Sequence, residues 1–269
     1  MIDSTLSWGL TTAVHCPEEL INQAVDLSKE FGCPYLPRER FSLAELKKIH
    51  ELEYILILDR NQRLFMLEPE LFWHPGMAVP RLRSLWDGAI DPFLQAADIQ
   101  AGDRVLDCTL GLATDALIAA WATGSSGQVL GLEASPLIAL ITQWGLQKQP
   151  HHYESKKVPI TQLVSRIQIK NILALDFLRS QPDQSWDIIY FDPMFRATIN
   201  RSSGLNGIRP IACYADFDQE SLQEALRVCR KRVILKERSF SMLFAKLDCP
   251  YVQKSKSASV AYGIWERRA

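Results

Sequence analysis

Two patterns of apolar and polar positions divide this chain. From Gly102 onward, short runs that are apolar or alternating (Val105-Leu106, Gln128–Leu132, Arg166–Asn171, Trp186–Phe191 and Arg232–Lys236) recur between stretches of helical spacing. Strands alternating with helices predict an α/β domain built on a doubly wound parallel sheet. The clearest helix is Asp216–Cys229, with Phe217, Leu222, Ala225, Leu226 and Cys229 at helical spacing and Asp216 or Asp218 as its cap. A helix over Phe240–Leu247 follows the fifth strand, and Tyr251–Lys256 with Ser259–Trp265 read as a closing antiparallel pair.

Residues 1–75 predict a small α+β unit instead. It has a strand near Leu6–Val14, helices over Pro17–Phe31 and Ser42–Glu53, and a hairpin whose arms Tyr54–Leu58 and Leu64–Leu67 flank the turn Asp59–Arg63. Pro17 at a helix start and Gly32 after its end fit the usual asymmetry of helix termini. Residues 76–101 form a linker and one helix, around Leu82–Ala97, and residues 102–269 form the main domain.

Composition adds limits. With 269 residues and 47% apolar content the chain can bury a large core. Thirty Lys/Arg against 31 Asp/Glu leave a formal charge of −1, so any nucleic-acid affinity must come from local charge. One such region is Arg227–Lys256, where nine basic residues meet two acids; it suits phosphates and equally describes a solvated face. Six cysteines without a C-x-x-C pair or metal-ligand spacing suggest reduced thiols and no metal site. The start of the chain lacks the features of a signal peptide, and no apolar stretch reaches 18 residues; a cytoplasmic protein with no membrane span is expected.

The candidate chemistry falls at successive strand ends, where ligands sit in open α/β sheets. After the first strand comes the loop Asp107-Cys108-Thr109-Leu110-Gly111-Leu112-Ala113-Thr114-Asp115, which leads into a helix. A dinucleotide loop needs three glycines so that backbone can approach a pyrophosphate, yet here Ala113 and Ala116 take the second and third places. A nicotinamide-dependent dehydrogenase is therefore disfavoured. S-adenosylmethionine (SAM) carries no phosphate and suits a loop with one close backbone approach, at Gly111. Glu133, 22 residues after Gly111, ends the next strand and can accept both ribose hydroxyls. Leu173, Ala174 and Asp176 follow the third strand at a natural adenine-edge position. The fourth strand ends in Asp192-Pro193-Met194-Phe195. An amino group on a flat heterocycle needs two acceptors and a stacking ring, which the Asp192 carboxylate, the Pro193 carbonyl and Phe195 can supply. A strand ending in an ordinary turn, with Phe195 in the core, is the plainer alternative.

Asp107-x-Thr109-x-Gly111-Leu112, Glu133 and above all Asp192-Pro193-Met194-Phe195 resemble the class I SAM-dependent methyltransferases of the RsmJ type, over roughly Gly102 to Trp265. That resemblance implies a seven-stranded Rossmann-like sheet and transfer of a methyl group to a guanine exocyclic amine in small-subunit ribosomal RNA. It implies SAM contacts at Thr114, Asp115, Glu133, Ala134, Leu173, Ala174 and Asp192; Asp107 and Gly111 of the loop are expected to join them, and Asp192, Pro193 and Phe195 are the candidate target-amine contacts. Where the family typically has glycine and arginine, this chain has Ala113 and Thr114. A methyltransferase for another amine or amide, in DNA adenine or a protein side chain, would use a similar tetrapeptide; a non-catalytic SAM-domain protein that binds RNA would keep Glu133 and not need Asp192. The linker residues His74, Met77 and Arg81 either cover the pocket or merely pack, and Arg196–Pro210, with three arginines and no acid, reads as a cover for the target base or a solvated loop.

Overall fold

The computed structural model describes residues 6–193, 208–213, 217–254 and 259–267. The chain opens with β1 (Trp8–Thr12), α1 (Glu18–Glu30), β2 (Tyr35–Leu36), α2 (Leu43–Ile49), β3 (Tyr54–Leu58), β4 (Leu64–Leu67) and β5 (Glu70–Phe72). These strands form one sheet in the order β2-β1-β3-β4-β5, with β1 parallel to β2 and β3, and β3, β4 and β5 an antiparallel meander. The expected hairpin is thus present, extended by β5. Ser42 and Glu45 form a reciprocal capping box at the start of α2. That helix stops at Ile49 rather than near Glu53, and Glu51 beyond it has the positive φ of 53° typical of a chain turning out of a helix.

Next come α3 (Ala78–Trp86) and α4 (Pro92–Ala97), where the sequence suggested one helix. The break has a local cause. Pro92 has no N–H to donate backward and disfavours helical backbone at Asp91, and the Asp91 carboxylate instead accepts from Phe93 N at 3.0 Å and Leu94 N at 3.3 Å as an N-cap.

The rest of the chain alternates as expected: β6 (Arg104–Asp107), α5 (Thr114–Thr123), β7 (Gln128–Glu133), α6 (Pro136–Lys148), α7 (Ile160–Val164), β8 (Ile167–Asn171), α8 (Ala174–Ser180), β9 (Trp186–Phe191), α9 (Gln219–Val228), β10 (Cys229–Arg238), α10 (Leu243–Lys246), β11 (Tyr251–Gln253) and β12 (Val260–Glu266). Asp218 caps α9 through Ser221 N at 2.9 Å, whereas Asp216 lies outside the described residues. The fifth strand starts at Cys229, directly after α9, and α10 is a single turn. Seven strands pair in the order β11-β12-β10-β9-β6-β7-β8, parallel from β10 to β8, with β12 antiparallel to β10 and β11 antiparallel to β12. The connection from β8 returns across β6 to β9, so the sheet changes winding direction between β6 and β9, and the crevice beside their carboxyl ends is the place where such sheets bind ligands. All six residues of β9 are buried, as a strand covered on both faces must be.

Two units emerge from the contacts within the chain. One holds the residues up to His74 with Ser135–His152 and the described part of Ile199–Cys213; the other holds Pro75–Ala134, Tyr153–Thr198 and Tyr214–Ala269. Helix α6 thus packs with the amino-terminal sheet, where Trp144 Nε1 donates to the Gln62 carbonyl at 2.7 Å. In the larger unit Leu106, Leu132, Ile189, Phe191, Val233 and Leu235 form the core with residues of α8, α9 and α10.

Candidate active site

The loop after β6 is fastened to the ends of three strands. Cys108 N donates to Tyr190 O at 2.8 Å on β9, and Leu110 N donates to Leu132 O at 2.9 Å on β7. Thr109 N bonds to Asp107 Oδ1 at 3.1 Å, while the Thr109 hydroxyl accepts from Asp192 N at 2.6 Å. Gly111 N donates to Glu133 Oε2 at 3.0 Å. Two glycines make this possible. Gly111 has φ of 54°, and a Cβ there would point into open space; at Gly131 on β7 a Cβ would lie 2.4 Å from Leu110 Cδ1, so only glycine lets the loop settle on the strand. Ala113 also sits in the left-handed region, at φ 65°, as the buried residue before α5.

Past Glu133, Asn171 Nδ2 donates to the carbonyls of Glu133 and Ala134 at 2.7 and 3.2 Å, which ties the end of β7 to the end of β8. Leu173 and Ala174 follow as the cap and first residue of α8, both half-buried. A partly exposed row of Thr109, Gly111, Thr114, Ala134, Leu173, Ala174, Asp192 and Pro193 therefore runs along the carboxyl ends of the strands, with buried Asp107, Asp115 and Glu133 behind it.

Beside this row lies a chain of charges. Arg81 on α3 makes two bonds to Asp91, at 2.7 and 2.9 Å, and a third to Asp115 Oδ1 at 2.5 Å. Asp115 Oδ2 accepts from Tyr190 Oη at 2.8 Å and from Lys236 Nζ at 3.1 Å. Lys236, on β10, also bonds Asp192 Oδ2 at 2.6 Å. Burial alone would push the Asp115 carboxyl up, but Lys236 and Arg81 and their hydrogen bonds hold it well below the usual range. Lys236 stays a cation because Asp192 and Asp115 outweigh the cost of its burial. At Asp192 burial acts upward and Lys236 acts against it, while Asp115 adds to the upward push. Among the described residues no cation is bonded to Asp107, and burial followed by the neighbouring carboxylates raises it to about 8.

The predicted residues Asp107, Gly111, Glu133 and Asp192 are joined by these bonds, and Thr114, Ala134, Leu173, Ala174 and Pro193 lie along the same edge. Phe195 and most of Arg196–Pro210 lie outside the described residues. Both oxygens of Asp115 are bonded to Arg81, Tyr190 and Lys236. Arg81 touches this network, and Met77 is 65% exposed. Sequence reasoning missed Lys236, Asp91, Tyr190 and Asn171. The one signal was Lys236 itself, a lysine closing the apolar run Val233-Ile234-Leu235 where a buried strand would rarely end in an unpaired charge.

The basic stretch Arg227–Lys256 has a different fate from a phosphate-binding face. Arg227 pairs with Glu224 and Asp183, Arg230 with Asp187, Lys231 with Asp103, Arg232 with Asp98 and Glu266, and Lys236 as above. Five of its nine cations are thus neutralised within the protein. Among the described residues no group of three or more His, Cys, Asp or Glu could hold a metal ion, and no helix is long and apolar enough to cross a membrane.

A seven-stranded sheet with a reversed closing strand, a glycine loop bonded to an acidic strand end, and Asp-Pro at the end of β9 define a class I SAM-dependent methyltransferase. The chain belongs to that family: residues 77–261 match the family described as "Putative SAM-dependent methyltransferase". Several of its relatives carry the name "Ribosomal RNA small subunit methyltransferase J". It is 34% identical over 95% of its length to 98% of the "Uncharacterized protein YpiP" of Bacillus subtilis. To the "Ribosomal RNA small subunit methyltransferase J" of Psychrobacter arcticus it is 29% identical, covering 72% of each chain, and to that of Cellvibrio japonicus 26% identical, covering 96% of this chain and 98% of the relative. Its cofactor is S-adenosylmethionine.

Proposed function

We propose that this chain methylates the exocyclic amine of a guanine in small-subunit ribosomal RNA. The RNA substrate comes from relatives named for small-subunit ribosomal RNA, of which that of Cellvibrio japonicus spans nearly the whole chain, and the guanine amine from the resemblance carried by Asp192-Pro193-Met194-Phe195. The observation that carries its chemistry is the Asp192 carboxylate, held by Lys236 and, through its backbone N–H, by Thr109 at the sheet's switch point.

The residues fit the cofactor: a Cβ at Gly111 would meet nothing within 4 Å, so there is space at the loop, and Gly111 N is bonded to the Glu133 carboxylate. In this reading Glu133 accepts the ribose hydroxyls, Gly111, Thr114 and Ala134 line the cradle, and Leu173 with Ala174 border the adenine. Asp107 and Asp115 shape the charge behind it. SAM supplies an electrophilic methyl on a sulfonium, whose C–S bonding electrons stay with sulfur as the new C–N bond forms. The amine of guanine is a weak nucleophile because its lone pair is delocalised into the ring. The Asp192 carboxylate and the Pro193 carbonyl accept its N–H bonds, which orients the lone pair and raises its electron density. Phe195, two residues on in the sequence, is the stacking candidate. Alignment of this kind can lower a barrier by about 7 to 11 kcal/mol, and the amine proton leaves after transfer.

The test is tritium-methyl transfer to small-subunit RNA from a strain lacking this chain, with mass mapping of the modified nucleoside. Asp192→Ala should lose transfer while staying folded and still binding SAM, with a lower melting point because Lys236 loses a partner. A methyl group mapped to another base, or to protein, would refute the substrate, and unchanged transfer by Asp192→Ala would refute the site.

A further inference from the structure

Lys236 is the residue that the proposed chemistry does not yet use. Its ammonium group is largely buried, with 22% of the side chain exposed, and bonds two carboxylates from two different elements, Asp192 after β9 and Asp115 on α5. A buried ammonium with two carboxylate partners is strongly bound in place, since removal of one member leaves an unpaired charge in a poor solvent. Asp115 in turn cannot swing, because Arg81 and Tyr190 hold its two oxygens, and Arg81 is clamped by the bidentate Asp91. The Asp192 carboxylate is thus fixed by a five-member relay that reaches from the strand end to the start of α4.

We propose that Lys236 is a positioning residue for methyl transfer: clamped by Asp115, it aims the Asp192 carboxylate at the target amine and keeps it in the ionised, accepting form. This rests on the reading of Asp192 as an amine acceptor. Two consequences separate it from simple packing. Protonation would turn one Asp192 oxygen into a donor and remove the charge that strengthens the N–H bonds it accepts, so turnover has an acid limb set by Asp192. Among the described residues the charged and titratable groups near Asp192 are Lys236 and Glu237 on β10, Asp115 on α5, Asp107 on β6 and Tyr190 on β9, with Arg81 behind Asp115 and Tyr262 beside Lys236. Of these only Lys236 is a cation bonded to it, and all the nearby carboxylates oppose its ionisation.

The experiment compares the parent chain with Lys236→Met, Lys236→Arg and Asp192→Ala, in methyl transfer to undermodified small-subunit RNA between pH 5.5 and 9. Lys236→Met should lower kcat at neutral pH by about 100-fold, the scale of a misplaced catalytic group, with KM for SAM changed by less than about threefold. Its acid limb should move up by about 1 pH unit or more, so that part of the loss returns in alkaline buffer. Lys236→Arg keeps the charge and should leave the limb in place with an intermediate kcat. If Lys236→Met melts too low to assay, Lys236→Gln carries the same expectation for the limb. A parent-like kcat and limb in the uncharged variants, beside an inactive Asp192→Ala, would overturn the positioning role alone. Full activity in Asp192→Ala, which has no side-chain acceptor, would instead overturn the acceptor reading on which it stands.

Discussion

Glu133 and Asp192 both close strands of one sheet at its carboxyl edge, yet the protein holds them by different means. Glu133 ends β7 and bonds Gly111 N in the loop that β6 leads into, so a backbone donor fixes it. Asp192 follows β9 and is fixed by side-chain charge: Lys236, then Asp115, then Arg81 and Asp91. A backbone bond costs little to maintain and survives most substitutions nearby. A relay of buried charges is rigid and aimed, but each member depends on the next. The end of β7 is therefore built to hold and the end of β9 to orient, which is the division that the proposed function makes between cofactor and target amine.

The largest expected effect probes the relay. Arg81→Met leaves Asp91 and Asp115 short of a cation and should cost about 3 to 5 kcal/mol, read from chemical denaturation at neutral pH. A loss below about 1 kcal/mol would mean that the two strand ends are supported alike. Next is the carboxyl behind both ends. Asp107 is raised in the folded protein to about 8, so the folded state holds a proton that the unfolded chain releases above its ordinary range. Its stabilising share is complete in acid and is lost as pH rises through about 8. Relative to Asp107→Asn, the parent should lose up to about 1.4 kcal/mol per pH unit between roughly pH 5 and 8, and then level off. A flat difference would show Asp107 ionised throughout.

Glu133→Ala should weaken SAM binding by about 1.5 to 3 kcal/mol in calorimetry, the scale of a charge-assisted bond. The same substitution should leave the relay intact, so a melting loss as large as that of Arg81→Met would erase the contrast. The smallest change is Ala113→Gly. With φ at 65° the alanine pays a left-handed backbone cost that glycine does not, offset by the greater freedom of glycine in the unfolded chain. A gain of about 0.5 to 1 kcal/mol is expected, and a loss would mean that the buried methyl packs well enough to outweigh the strain.

The amino-acid sequence by itself determined the alternation of strands and helices, the glycine loop, the acidic end of β7 and the Asp-Pro end of β9, because each depends on neighbours in the chain or on spacing within one βαβ unit. It also carried the amino-terminal hairpin, whose turn residues are local. Helix ends were less legible: the single helix expected over Leu82–Ala97 is two, since the cap at Asp91 outcompetes continued periodicity. Tertiary structure alone decided what became of the charges. Nothing in the spacing of Arg81, Asp91, Asp115, Asp192 and Lys236 joins them, for they come from five separate segments, and Asp115 and Lys236 are 121 residues apart. The same physics paired five of the nine cations of a basic stretch that suited phosphates with carboxylates of this chain. A charge's partner is whichever opposite charge the fold brings within bonding distance, and that distance is fixed by sheet order and helix packing rather than by position along the chain.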